Sequence, residues 1–206
     1  MPNKPLFITG IGTGIGKTVV SAVLVEKLKA DYWKPVQSGE LDNGDTIKVK
    51  SLVTNKASVF HPEAYRLTQP YSPHKSAALD GVTIDPKNII PPKTNNMLVI
   101  EGAGGLMVPL NNEFLMIDLI RQLDAEVVLV SQNYLGSINH TVLSVYALQQ
   151  LQMPIRGIIF NGKKDTYSED FILKYTEVNL LGHLPEYKLI DKKAIFDSGW
   201  LIDLVD

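Results

Sequence analysis

The sequence predicts an α/β protein whose mostly parallel sheet is covered by helices on both faces. Three observations carry that expectation. Short apolar runs ending in glycine or polar turns alternate with segments of helical period along the whole chain. Three of the runs, Met97 to Ile100, Val127 to Val130 and Ile155 to Phe160, the last broken by Arg156, read as strands buried on both faces under crossover helices. A glycine-rich turn from Gly10 to Gly16 stands between the first apolar run and the first helical stripe.

Taken in order, Leu6 to Thr9 reads as the first strand. Val19, Val20, Val23, Leu24 and Leu28 then place an apolar stripe on a helix starting near Lys17. Tyr32 to Val36 reads as the second strand. Between Gly39 and Asn96, Pro62, Pro70, Pro73, Pro86, Pro91 and Pro92 break the chain into loops and short helices, and functional loops are expected there. The proline-rich connection from Val82 to Met97 predicts a trimmed helix. Crossover helices are expected at Phe114 to Leu123 and Asn139 to Leu151, and a last strand at Leu180 to Leu184. Ala194 to Asp206 is an apolar and acidic tail without an assigned role. No linker or internal repeat marks a second unit, so residues 1–206 read as one domain.

Composition narrows the function classes. A chain of 206 residues with 45% apolar content fills one core without staples. Its net charge of -2 argues against a sequence-independent nucleic-acid surface. Zero cysteines exclude disulfides, thiolate metal sites and a cysteine nucleophile, and fit a reducing compartment. The apolar stretch Leu6 to Ile8 is too short for a signal-peptide core, and polar residues from Ser131 to Gln152 interrupt the uncharged window Val127 to Ile155. The expectation is a cytoplasmic protein without membrane or nucleic-acid partners.

The sharpest motif is Gly10-Ile11-Gly12-Thr13-Gly14-Ile15-Gly16-Lys17-Thr18, where a strand should end and a helix begin. Glycines let backbone N–H groups turn toward phosphate oxygens, and the helix N-terminus adds its positive dipole end. Lys17 supplies a cation for the β- and γ-phosphates and Thr18 a hydroxyl for Mg²⁺. The interval between Gly10 and Gly16 is one residue longer than the usual phosphate loop, which makes it a variant. The loop extends the fold expectation to a P-loop NTPase-like three-layer architecture binding ATP.

Leu98-Val99-Ile100-Glu101 followed by Gly102-Ala103-Gly104-Gly105 places a carboxylate at the end of another buried strand, where it could hold the metal. The alternative is a strand-end carboxylate facing solvent. Asp45, in Asn43-Gly44-Asp45, reads by itself as a turn residue. Lys34 stands at the carboxyl end of the second strand, where open α/β sheets bind ligands, although a lone lysine there is more often a solvated surface charge.

Together the motifs resemble the dethiobiotin synthetase family. The resemblance rests on the Gly-x5-Gly-Lys-Thr loop, Lys-Pro-Val-x-Ser-Gly at Lys34 to Gly39, Asp45, Ser-Pro-His at Ser72 to His74, and Glu-Gly-Ala-Gly-Gly at Glu101 to Gly105. Leu-Gly-Ser-Ile-Asn-His at Leu135 to His140 and Asn161 after a strand complete it, so that it runs from Gly10 to about Pro185. It implies an ATP- and Mg²⁺-dependent ligase of biotin synthesis. 7,8-Diaminopelargonate and CO₂ become dethiobiotin through an N-carbamate and a carbamic-phosphoric mixed anhydride, with release of ADP and phosphate.

The resemblance makes Lys17 and Lys34 the catalytic cations and Thr18, Asp45 and Glu101 the Mg²⁺ ligands. ATP would be held by Gly14, Ile15, Gly16, Lys17, Thr18 and Val19, with Asp45, Glu101, Gly102, Ala103 and Gly104. Asn161, Gly162, Pro185, Glu186 and Tyr187 would lie near the base. Thr13, Lys34 and Ser38 would contact the amines or carbamate. Gly136, Ser137, Ile138 and Asn139, opening a helix, would seat the substrate carboxylate across a homodimer interface, while Ser137 or Asn139 could instead cap that helix. His74 and His140 are read as structural, His74 as a hydrogen-bonded group.

The sequence departs from the family where Gly12 and Gly14 replace larger residues, so side-chain contacts there do not carry over. Two alternatives remain. An amidating synthetase of the cobyrinate type shares this loop but usually carries a cysteine-dependent glutaminase. A partition or positioning switch ATPase normally carries lysine where Gly12 stands, and a membrane-docking version needs a basic tail, whereas this one has Asp197, Asp203 and Asp206.

Overall fold

The computed structural model describes residues 4–204. In chain order the elements are β1 (Leu6–Gly10), α1 (Lys17–Leu28), β2 (Asp31–Trp33), β3 (Val36–Ser38), α2 (Asp45–Leu52), β4 (Phe60–His61), β5 (Tyr65–Leu67) and α3 (Pro73–Leu79). Then come β6 (Leu98–Gly105), α4 (Met116–Gln122), β7 (Glu126–Ser131), α5 (Ser137–Gln150), β8 (Ile155–Asn161), α6 (Thr166–Thr176), β9 (Leu180–Leu184) and α7 (Lys192–Ser198).

Seven strands form one parallel sheet in the order β4-β2-β6-β1-β7-β8-β9. The continuous apolar runs have the burial they predict, with successive residues feeding opposite layers. Leu6, Ile8, Val99, Val128, Val130 and Ile159 pack with α1, α2 and α7, while Phe7, Ile100 and Val127 face α4 and α5. Ile158 and Phe160 meet Val145 of α5 and Ile172 of α6. From central β1 the chain moves out to β2 and β4, returns to β6 and continues on the other side through β7. The carboxyl ends beside β1 therefore border the crevice where such sheets bind ligands.

The expected second strand is divided. Tyr32 to Val36 spans the end of β2, the pair Lys34-Pro35, and the start of β3, which pairs with β5 in a separate two-stranded sheet. Pro35 has no N–H to continue the ladder, and its carbonyl accepts from Ala64 and Tyr65 instead. The strand expected at Met97 to Ile100 is β6, which continues to Gly105; Gly102 packs so closely that a Cβ there would stand 2.7 Å from the Phe7 ring. Between Val82 and Met97 the helical piece is one 3₁₀ turn, Pro86–Asn88, capped by Asp85.

Two helices exceed the sequence reading. α6 is capped by Asp165 and buries Ile172. In the tail, α7 packs Ile195 against α1, Lys27 Nζ donates to the Gly199 carbonyl at 2.9 Å, and Ile202 bridges to Gly182. Asp206 lies outside the described residues. Among these, no helix is long and apolar enough to cross a membrane.

Candidate active site

The glycine-rich loop connects β1 to α1 and turns through left-handed backbone at Gly14 (φ 77°) and Gly16 (φ 94°). Gly16 is the N-cap of α1 and supplies no side-chain cap, so the first N–H groups of that helix remain for a ligand. A Cβ on Gly12 or Gly14 would meet nothing within 4 Å, so this side of the loop faces open space. At Gly16 a Cβ would instead stand 2.1 Å from Asn161 Nδ2, whose amide donates to the Ile15 carbonyl at 2.9 Å. Asn161, at the end of β8, thereby lies directly over the loop.

Lys34 and Glu101 take the less ordinary of the two readings each had from sequence. Lys34 is 4% exposed and Glu101 1%, so neither is a solvated surface charge. Lys34 Nζ lies 2.6 Å from Asp45 Oδ2 and 3.2 Å from Glu101 Oε1, and donates to the Gly102 carbonyl at 3.2 Å. Thr18 Oγ1 donates to Glu101 Oε1 at 3.0 Å, and Tyr32 Oη donates to Glu101 Oε2 at 2.9 Å. Asp45, a turn residue by sequence, sits in the first turn of α2, where Gln37 Oε1 receives its N–H. The end of β2, the middle of β6 and the starts of α1 and α2 thus bring Lys34, Glu101, Thr18 and Asp45 to one point, with Lys17 beside them.

The charges are set by burial and by one another. Burial opposes the charge on Lys34, yet Glu101 and Asp45 outweigh it and raise its pKa. Burial likewise opposes ionised Asp45, but Lys34, supported by Lys48 and Thr18, holds it below the usual range. Burial and then the Lys34 charge bring Lys17 down to about 8, against the pull of Glu101 and Asp45. Its Nζ rests on the Gly12 carbonyl at 2.8 Å. Burial, with Glu101 adjacent, raises Tyr32 well above its ordinary value, so it stays a hydrogen donor.

The remaining residues from the sequence reading fall into three groups. Ala103 and Gly104 continue β6 beside the loop, and a Cβ on Gly104 would come 3.6 Å from Thr13 Oγ1. Ser38 Oγ is buried without a hydrogen-bond partner. Gly162 follows Asn161 with φ 99°, while Pro185 and Glu186 are exposed after β9. Tyr187 pairs its hydroxyl with Ser198. Gly136 (φ 102°) caps α5; Ser137 is buried and accepts from the Tyr134 N–H, and neither Ser137 nor exposed Asn139 caps the helix. A groove of about 650 Å³ runs from Gly12 and Thr13 along Met107 and Val108 to Leu143 and Tyr146.

His140 Nδ1 lies 2.8 Å from Tyr134 Oη, whereas His74 departs from its expected hydrogen-bonded state, since Nδ1 is buried without a partner. Tyr32 was missed by sequence. Its signal was the two-residue spacing to Lys34, which sends both side chains to one side of an extended chain.

A family model described as an AAA domain matches residues 4–194. An ATP-dependent dethiobiotin synthetase of Christiangramia forsetii is 52% identical over 192 residues, covering 93% of this chain and 92% of that protein. One of Cytophaga hutchinsonii is 48% identical over 204 residues, 98% of each. The chain belongs to this domain family and, within it, to the ATP-dependent dethiobiotin synthetases. Its fold is shared more widely. A ParA family ATPase from Chlorobium tepidum superposes with a TM-score of 0.58 at 13% identity over 97% of this chain and 99% of that one. The Pyrococcus furiosus cell division ATPase MinD does so at 0.59 and 14%, over 96% and 98%. At such identities only the architecture is common, so the switch-ATPase alternative gains a shared frame and nothing more.

Proposed function

We propose that this chain is an ATP-dependent ligase that converts 7,8-diaminopelargonate and CO₂ to dethiobiotin. The observation that carries the reading is the meeting of Lys17, Lys34, Thr18, Asp45 and Glu101 beside an open glycine loop, in a chain about half identical to synthetases of that name.

An amine attacks CO₂ only when neutral, and an alkylamine has a pKa of roughly 10. Lys34 and Lys17 create a positive field that disfavours a third ammonium and favours the carbamate anion. Thr13 and the unpartnered Ser38 hydroxyl supply hydrogen bonds to the amines or carbamate. ATP supplies the phosphoryl group that makes the carbamate oxygen a leaving group. The loop N–H groups, Gly14 to Val19 and Lys17 hold its phosphates, with Gly102, Ala103 and Gly104 alongside. Asn161, Gly162, Pro185, Glu186 and Tyr187 border the base.

The polar cluster fits Mg²⁺. One hydroxyl and two carboxylates are hard oxygen donors, and the two carboxylates already flank a cation, the Lys34 ammonium. Among the described residues no group of three or more His, Cys, Asp or Glu forms a self-sufficient cage. That suits a metal whose other positions go to water and phosphate. Thr18, Asp45 and Glu101 would hold it, where it neutralises phosphate charge.

The reading includes a homodimer in which Gly136, Ser137, Ile138 and Asn139 of one subunit seat the substrate carboxylate of the other. Exposed Met107, Leu143 and Tyr146 along the groove support an apolar partner there. It also takes the chain as one domain working in the cytoplasm, without nucleic-acid or membrane partners, consistent with its net charge of -2 and lack of cysteine.

The test is phosphate release from Mg²⁺-ATP with and without diaminopelargonate and bicarbonate, with products weighed by mass spectrometry and sedimentation run under the same conditions. Release needing both, with a dethiobiotin product from a dimer, is expected. Release indifferent to the diamine overturns the substrate, and an active monomer overturns the shared site.

A further inference from the structure

The segment that follows Asn161 is held from behind by buried groups that the chemistry above does not use. Glu169, on α6 and 4% exposed, points back toward it. Its Oε1 accepts from Asn133 Nδ2 at 2.7 Å and from the Asp165 N–H at 3.0 Å. The same Asn133 amide donates to the Lys163 carbonyl at 3.0 Å. Glu169 Oε2 lies 3.2 Å from Nδ1 of His183 on β9, and His183 Nε2 lies 2.9 Å from the Gly162 carbonyl. A carbonyl oxygen only accepts, so Nε2 carries the hydrogen.

Gly162 is therefore fixed on both sides of one residue. Its N–H donates to the Leu184 carbonyl at 2.8 Å, and its carbonyl is taken by His183. Its φ of 99° is one that side chains rarely adopt, so the turn cannot be stiffened by a bulkier residue and relies on outside partners. The residue before it, Asn161, bonds to the Ile15 carbonyl and lies against Gly16. Any slackening at Gly162 thus reaches the phosphate loop through a single amide side chain.

We propose that His183, oriented by Glu169, is a positioning residue for nucleotide: it fixes the Gly162 carbonyl and through Asn161 the seat of the base and the shape of the phosphate loop. The inference rests on the reading that Asn161 and Gly162 border ATP, and it concerns residues that touch no reacting atom.

The test measures ADP binding by calorimetry, without the diamine, on the full chain. His183→Ala should weaken ADP roughly tenfold and raise KM for ATP by a similar factor, with kcat and the diamine KM within about twofold. His183→Gln, whose side-chain amide can still donate to the Gly162 carbonyl, should restore most of the affinity. Loss of packing alone would weaken both variants equally and would overturn the proposal, as would ADP affinity within twofold of the parent in His183→Ala. Should His183→Ala not fold, Glu169→Gln supplies the same comparison. Lys17→Gln separates the two failures. ADP binding lost there but kept in His183→Ala overturns this inference alone, while no ADP binding by the unaltered protein overturns the site reading and this inference together.

Discussion

Strand β2 begins at a buried carboxylate and is followed at its other end by a buried ammonium, and the fold treats the two in opposite ways. Asp31, 1% exposed, receives Thr94 Oγ1 at 2.6 Å, Asn96 Nδ2 at 2.8 Å and the Val59 N–H at 2.9 Å, with His61 Nε2 at 3.2 Å. Burial pushes its pKa up, but those donors prevail and hold it low. Lys34, itself a donor, has one neutral acceptor, the Gly102 carbonyl. It is balanced mainly by two carboxylates, one of which also carries Thr18 and Tyr32. The amino end of the strand is a closed knot joining three loops, whereas the carboxyl end is a set of opposed charges that a phosphate and a metal can rearrange. A buried charge surrounded by dipoles stays put, and one balanced by mobile counter-charges is available for exchange.

The largest expected effect tests the carboxyl end. Lys34→Gln should lower turnover at least roughly 10²-fold through lost charge stabilisation, while ADP affinity stays near that of the parent. Near-normal kcat would place Lys34 outside the chemistry and make the two ends of β2 alike.

Asp31→Asn should act on stability instead. Losing hydrogen bonds to an ionised group costs about 2–3 kcal/mol, read as a lower urea midpoint, with kcat per folded molecule unchanged. Because the folded pKa is the lower one, this stabilisation is complete above the unfolded value near roughly 4 and fades as pH falls through the folded value. The gap between parent and variant should therefore narrow in acid. A gap independent of pH would mean that shape, not charge, holds the knot.

The smallest effect concerns Lys17. With its pKa brought to about 8, the unfolded chain binds more protons between that value and roughly 10.5, so stability without nucleotide rises with pH across that window. Phosphate beside Lys17 reverses the depression. ADP binding near pH 8.5 should take up a fraction of a proton, seen as a calorimetric enthalpy that changes with the buffer's ionisation enthalpy. No buffer dependence would show Lys17 already protonated.

How much of this was legible follows from the same contrast. Continuous apolar runs announced β1, β6 and β7, and the mainly apolar run of β8 did so despite Arg156, because a strand buried on both faces has no polar side to disguise it. The order of strand, glycine loop and helix was legible because it depends on adjacent residues. The burial of Lys34 was not, since it depends on Asp45 and Glu101, which are distant in sequence. Likewise β3 and β5 are too short to show a period, and α7 finds its partner surface only once α1 and Gly182 are assembled. The jacket around Asp31 draws on Val59, His61, Thr94 and Asn96, which share no motif.

The central place of β1 also bears on how the protein is made. The strand leading into the phosphate loop is synthesised before both of its neighbours, β6 beginning at Leu98 and β7 at Glu126. Pairings so distant along the chain form slowly, and until they form the apolar Leu6 to Ile8 run is exposed. The nascent chain thus carries its nucleotide loop unfinished until both neighbours have been made, and ATP cannot act as a folding ligand before β7 has emerged.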